Sequence, residues 1–133
     1  MTPSPTVWPT MSYRDASAAV EFLTSAFGFV ANGVYKDEDD PTQIMHAQLD
    51  WPPGGGIMLG SSRRPSEMTD PTGHGSAYCV IDDTIYLDDL FARATAAGAE
   101  VVRPVTAQDY GGRNFIVKDP EGNQWSFGDY AGE

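Results

Sequence analysis

Apolar positions along this chain alternate between a strand rhythm and a helix rhythm, and the whole succession occurs twice. Val7 to Tyr13 alternates loosely and predicts a strand, with Pro9 near its start. Asp15 follows as a helix N-cap, after which Ala16, Ala19, Val20, Leu23 and Phe27 share one helical face. Gly28 stands where the helix stops. Phe29 to Tyr35 reads as a strand, and Asp37-Glu38-Asp39-Asp40 as a solvated turn. Gln43 to Trp51 is a longer strand with polar Gln43, His46 and Gln48. Pro52-Pro53-Gly54-Gly55-Gly56 turns the chain, and Ile57 to Leu59 returns as the hairpin partner.

Residues 60–75 are polar and rich in Gly, Pro, Ser and Thr, and they read as a connection. The succession then restarts. Ser76 to Ile81 predicts a strand, and Asp82 and Asp83 offer an N-cap. Leu87, Leu90, Phe91 and Ala94 keep helical spacing up to a stop at Gly98. Glu100 to Arg103 is a strand. Asn114 to Lys118 and Gln124 to Phe127 form a hairpin about Asp119-Pro120-Glu121-Gly122-Asn123. The pattern predicts one α+β domain over 1–133, made of modules 5–60 and 76–130 joined by 60–75.

Composition narrows the partners. The 133 residues suit one domain, and 41% hydrophobic content is that of a globular chain. Nineteen acidic against eight basic residues give a net charge of -11, which repels phosphate backbones and anionic membranes. Nucleic acid is therefore not an expected partner. No apolar run approaches membrane-spanning length, and Met1 to Pro9 lacks a signal-peptide pattern, so the expected location is the cytoplasm. Cys79 is the one cysteine and lies in an apolar stretch, which predicts a buried, inert thiol. Glycine-rich phosphate loops, Cys-x-x-Cys and Gly-x-Ser-x-Gly motifs are missing from the sequence.

Several segments together resemble the vicinal-oxygen-chelate proteins, a superfamily that includes glyoxalase I, bleomycin-resistance proteins and extradiol dioxygenases. They are Tyr13-Arg14-Asp15-Ala16, Phe22-Leu23, Ala26 to Phe29, Ala94 to Gly98, Tyr110-Gly111-Gly112-Arg113 and Asp119 to Trp125. The nearest likeness is to single-domain, PhnB-like or glyoxalase-like members. The resemblance implies paired βαβββ modules whose mixed sheets curl into a U-shaped cleft, and a homodimer. It also implies four inward metal-ligand positions, which fall here on Trp8, His46, Ser76 and Ser126. Trp cannot coordinate, Ser is a weak ligand, and a catalytic ion needs about three protein ligands. No metal or other cofactor is therefore expected.

The remaining candidates have two readings each. His46 is either a hydrogen-bonded core histidine or a pocket-lining donor and general base, and it is the best catalytic candidate. Its parity groups it with Gln48 and Ile44. Arg113 is either an anion clamp or an internal salt-bridge partner of Asp15 or Asp119. His74, Arg63 and Arg64 are solvated loop residues, or else His74 a third-strand ligand and the arginines a lid. Trp8, Tyr78 and Trp125 are core aromatics, or, for Trp8 and Tyr78, a stacking surface for a flat organic molecule. The leading expectation is a metal-independent small-molecule binder of the glyoxalase/bleomycin-resistance type, using Trp8, His46, Gln48, Tyr78, Arg113 and Ser126. The alternatives are a metal-dependent lyase, isomerase or dioxygenase using His46, and a non-catalytic interaction domain.

Overall fold

The structure, a computed structural model, describes residues 5–62, 72–109 and 111–132. The first module contains β1 (Thr10–Tyr13), α1 (Ala16–Phe27), β2 (Val30–Lys36), β3 (Ile44–Asp50) and β4 (Gly56–Ser61). The second repeats the order with β5 (Ser76–Val80), α2 (Leu87–Ala96), β6 (Glu100–Ala107), β7 (Arg113–Lys118) and β8 (Gln124–Gly128). Each module forms one four-stranded mixed sheet, ordered β1-β4-β3-β2 and β5-β8-β7-β6. In both, the first strand runs parallel to the last and the other pairs are antiparallel.

Helix α1 forms where its caps place it. The Asp15 carboxylate accepts from the Ala18 N–H at 3.0 Å, and Gly28 closes the other end at φ 87°, a conformation that costs glycine little. The expected cap of α2 is corrected. Asp82 accepts instead from the Thr84 N–H and hydroxyl, closing a local turn, and α2 starts five residues later at Leu87 with no side-chain cap. Asp82 is thereby held below the ordinary carboxylate pKa, chiefly by the Thr84 hydroxyl. The strand expected from Val7 begins only at Thr10, because Pro9 has no N–H to continue the ladder, although its carbonyl accepts from Met58. Trp8 therefore lies outside β1. Strand β6 runs on past Arg103 to Ala107, carrying Pro104 on an edge where proline is tolerated. The expected connection is shortened, since β4 keeps Gly60 and Ser61. Arg63 and Arg64 lie outside the described residues, as does Tyr110.

The two modules share one core. Helix α1 buries Ala16, Ala19, Leu23, Ala26 and Phe27, and α2 buries Leu87, Leu90 and Ala94. Phe27 of α1 reaches the second sheet, with its ring centroid 5.5 Å from Trp125 and 4.7 Å from Phe127. Trp51, just after β3, meets Phe127 at 5.5 Å, and Phe29 meets Trp125 at the same distance. Burying each such side chain contributes about 1.5–3 kcal/mol. The helices are also joined directly, since Arg93 of α2 donates to the Ser25 and Thr24 carbonyls at the C-terminal end of α1.

Polar bonds fasten the modules at both ends of the seam. Tyr13, at the end of β1, donates to Asp119 at 2.6 Å. The Glu121 carboxylate accepts from the Arg14 and Asp15 N–H groups. At the other end the Trp51 indole donates to the Val80 carbonyl at 2.7 Å.

Candidate functional site

Because alternate strand residues enter the shared core, the rest form an outer face on each sheet. On β3, Ala47 and Leu49 are buried, while His46, Gln48 and Asp50 turn outward. On β4, Ile57 and Leu59 are buried, and Gly56, Met58 and Gly60 turn outward. Gln48 pairs with Met58, and its side-chain amide donates to Asp50 at 2.8 Å.

His46 is exposed, not a core histidine. Its ring lies against Tyr35 on the neighbouring strand, with centroids 6.1 Å apart and planes 26° from parallel. The expected grouping with Ile44 also fails. A register irregularity between Tyr35 and Lys36 breaks the alternation at Met45, so Ile44 is buried while His46 faces out. Trp8, half-buried, leans over β4: a Cβ on Gly56 would stand 3.0 Å from its ring. Its indole N–H donates to the Pro5 carbonyl at 3.3 Å. Trp8, His46 and Gln48 thus belong to the first module's side of the molecule.

The second sheet carries the other candidates. Tyr78, Ser126, Ile116 and Arg103 pair in register across β5, β8, β7 and β6 and make one row on its outer face. The Tyr78 hydroxyl donates to the Tyr130 carbonyl at 2.8 Å and lies over Gly128. Trp125, by contrast, is wholly buried, and its indole donates to Asp119. Arg103 donates to the Asn114 side-chain oxygen. Arg103 does not stand out in the sequence, because the strand pattern is interrupted beside it at Pro104.

Arg113 does not join this row. It lies on the helix side, 3.5 Å from Asp88 of α2, in an exposed ion pair worth little. It pairs with neither Asp15 nor Asp119, because the first caps α1 and the second is buried under four donors. His74 is exposed in the turn before β5.

A pocket of about 410 Å³ opens at the seam, with Phe29, Trp51 and Cys79 below and Pro9, Gly56 and Tyr78 around it. Burial pushes the Cys79 thiol up to about 12, so it stays protonated and unreactive. Tyr78 links this pocket to the outer face, while Trp8, His46, Gln48 and Ser126 do not line it.

Metal chemistry finds a poor donor set. Among the described residues no group of three or more His, Cys, Asp and Glu side chains is placed to hold an ion. Of the four positions carried over by resemblance, Trp8 offers no ligand atom, Ser76 and Ser126 offer neutral hydroxyls, and only His46 is competent. These four positions do not supply the three protein ligands that a catalytic ion needs.

The Glyoxalase/Bleomycin resistance protein/Dioxygenase family model matches residues 7–127. The chain belongs to this superfamily. Its paired βαβββ modules are the superfamily's α+β fold. A Mycobacterium bovis protein and a Mycobacterium tuberculosis protein, both described as uncharacterised, are each 33% identical to this superfamily member over 93% of its length. The match covers 82% and 74% of their own chains. TioX from Micromonospora sp. ML1 shares the fold at a TM-score of 0.74 and 30% identity, covering 94% of this chain and 98% of TioX. The Listeria monocytogenes fosfomycin resistance protein FosX shares it at a TM-score of 0.68 and 16% identity, over 96% of this chain and 94% of FosX. That FosX structure is of a point mutant complexed with Mn(II) and a dihydroxypropylphosphonic acid.

Proposed function

We propose that this superfamily member binds a flat organic molecule without a metal, in a cleft completed by a second copy of the chain. The carrying observation is the pair of outer faces. Each combines an exposed aromatic with a floor of small or polar residues: Tyr35 with His46 and Gln48 on one, Tyr78 with Ser126 on the other. Tyr35 is 63% exposed and Tyr78 44%, and Val30, Met45, Val101 and Val102 are similarly bare. Uncovered apolar surface of this kind marks a ligand or protein contact. Both outer faces turn away from the core that the modules share, so each is half of a cleft, and a partner's opposite module supplies the other half.

The ligand's rings would stack on Trp8 and on the tyrosines, with Gln48 and Ser126 orienting polar groups and His46 as hydrogen-bond donor or base. FosX, on the same fold, holds a small phosphonic acid together with a metal. Here, of the four positions that the resemblance assigns to metal ligands, Trp8 offers stacking, Ser76 and Ser126 offer hydroxyl groups, and His46 alone offers a ligand atom. The lone buried thiol and acidic surface suit a cytoplasmic protein.

Light scattering coupled to size exclusion should give twice the 14.4 kDa chain mass. Thermal-shift screening with planar aromatics and antibiotics should find stabilising ligands. A strictly monomeric protein would remove the composite cleft. A stoichiometric transition metal retained through purification, with binding or activity lost to chelator and restored by the ion, would replace this reading with metal-dependent enzymology.

A further inference from the structure

We propose that Arg103 and Asn114 form the anion-binding end of the second module's half-site, and that the ligand is a planar aromatic carboxylate. The inference rests on the binding reading above and assigns the chemical class of its ligand.

Arg103 occupies an unusual place for a cation. It is half-buried on the outer face, at the end of the row that Tyr78 begins, with Ser126 and Ile116 between them. In a chain with a net charge of -11, carboxylates are plentiful. Yet among the described residues Arg103 meets none of them: it makes one hydrogen bond, to the neutral amide oxygen of Asn114, and its buried Nε has no partner. A guanidinium carries five donors in a planar fork suited to a carboxylate, so leaving Nε unmatched costs stability. Arg113 and Arg93, in contrast, are matched to Asp88 and to helix-terminal carbonyls.

The neighbouring groups define the shape of what would satisfy it. Tyr78 turns along the face until its hydroxyl lies 2.7 Å from where a Cβ on Gly128 would be, and the Asn114 Cβ is equally close to that point. Tyr78 and Arg103 therefore converge on Asn114 from opposite ends of the row. The absent side chain at Gly128 keeps the strip low. Three strand spacings, about 14 Å between backbones, separate Tyr78 from Arg103, and Ser126 and Ile116 make the floor between them. A bicyclic ring lying on this floor reaches the Tyr78 ring at one end and presents its carboxylate to Arg103 at the other. Adjusting the guanidinium about Asn114 brings Nε and an Nη onto the two oxygens.

Isothermal titration with 2-naphthoate and 2-naphthamide, which share rings but not charge, tests the assignment. The acid should bind at least about tenfold more tightly than the amide, as a charge-assisted pair requires. Arg103→Met should abolish that preference, bringing the acid's affinity to within about twofold of the amide's. Arg103→Lys should keep part of the preference, because it retains charge without the fork. Equal binding of acid and amide to the unaltered protein would overturn the inference and leave the binding reading intact. So would an acid preference that persists in a folded Arg103→Met protein. Failure of both probes and of the wider aromatic panel would overturn the two together. The comparison within the unaltered protein stands even if Arg103→Met does not fold.

Discussion

Tyr13 and Asp119, 106 residues apart, are joined by a 2.6 Å hydrogen bond buried between the modules. The same Asp119 oxygen accepts from the Trp125 indole at 3.0 Å, and the other oxygen accepts from the Glu121 and Asn123 N–H groups. A buried carboxylate is stable only with such a set of donors. Tyr13→Phe removes one of them without changing shape. It should cost about 1–3 kcal/mol in urea unfolding, and Asp119→Ala should cost more, because it strands Tyr13 and Trp125 as well. Indifference to both changes would mean that the modules are held by apolar contact alone.

Two buried acids predict a loss of stability at alkaline pH. Burial, reinforced by the charge of Asp119, raises the Tyr13 hydroxyl well above its usual pKa, and burial raises the Cys79 thiol to about 12. In the unfolded chain these groups lose protons near about 10 and about 8.5. The folded state then binds more protons than the unfolded, so stability falls as pH rises. The decline should begin near pH 8.5 with Cys79 and steepen above pH 10 with Tyr13, by up to about 1.4 kcal/mol per pH unit for each group. Cys79→Ala should flatten the first part of the curve and Tyr13→Phe the second, as read by denaturation midpoints across pH.

Gly128→Ala tests the low strip on the second outer face. Its added Cβ would meet the Asn114 Cβ and the Tyr78 hydroxyl at 2.7 Å and the Arg113 carbonyl at 2.9 Å. The cost should be about 1–3 kcal/mol through forced displacement. Ligand affinity should fall further than stability does, since Tyr78 must move. Retained affinity in the folded variant would place the ligand elsewhere.

His46→Ala separates site from scaffold. His46 is exposed and touches Tyr35 on the surface, so its removal should change stability by no more than about 0.5 kcal/mol. Binding or turnover of a stacked ligand should nevertheless weaken several-fold. Measuring both on one preparation decides whether His46 serves the cleft.

The sequence announces those features whose cause is local. Asp15 and Gly28 bound α1 because capping and left-handed φ are properties of those residues themselves. The duplicated order of elements is legible for the same reason. Asp82 misleads because its carboxylate is taken by Thr84, a competition that spacing does not reveal. The parity of His46 is lost to a register irregularity set by the neighbouring strand. The row from Tyr78 to Arg103 depends on pairing among four strands, and β6 continues through Pro104 only because it is an edge. The partners of Asp119 lie in the other module or across the turn, and nothing nearby in the chain predicts Tyr13 among them.

The duplication repeats in space, but its two fasteners are unequal. The first strand of each module ends against the other module's hairpin turn. At β1 that meeting is a network of carboxylates and amides; at β5, among the described residues, it is a single indole bond from Trp51, beside the 410 Å³ pocket. A seam fastened this way answers to different disturbances at its two ends: the loss of a charge or donor loosens the Asp119 end, and the loss of a ring loosens the Trp51 end.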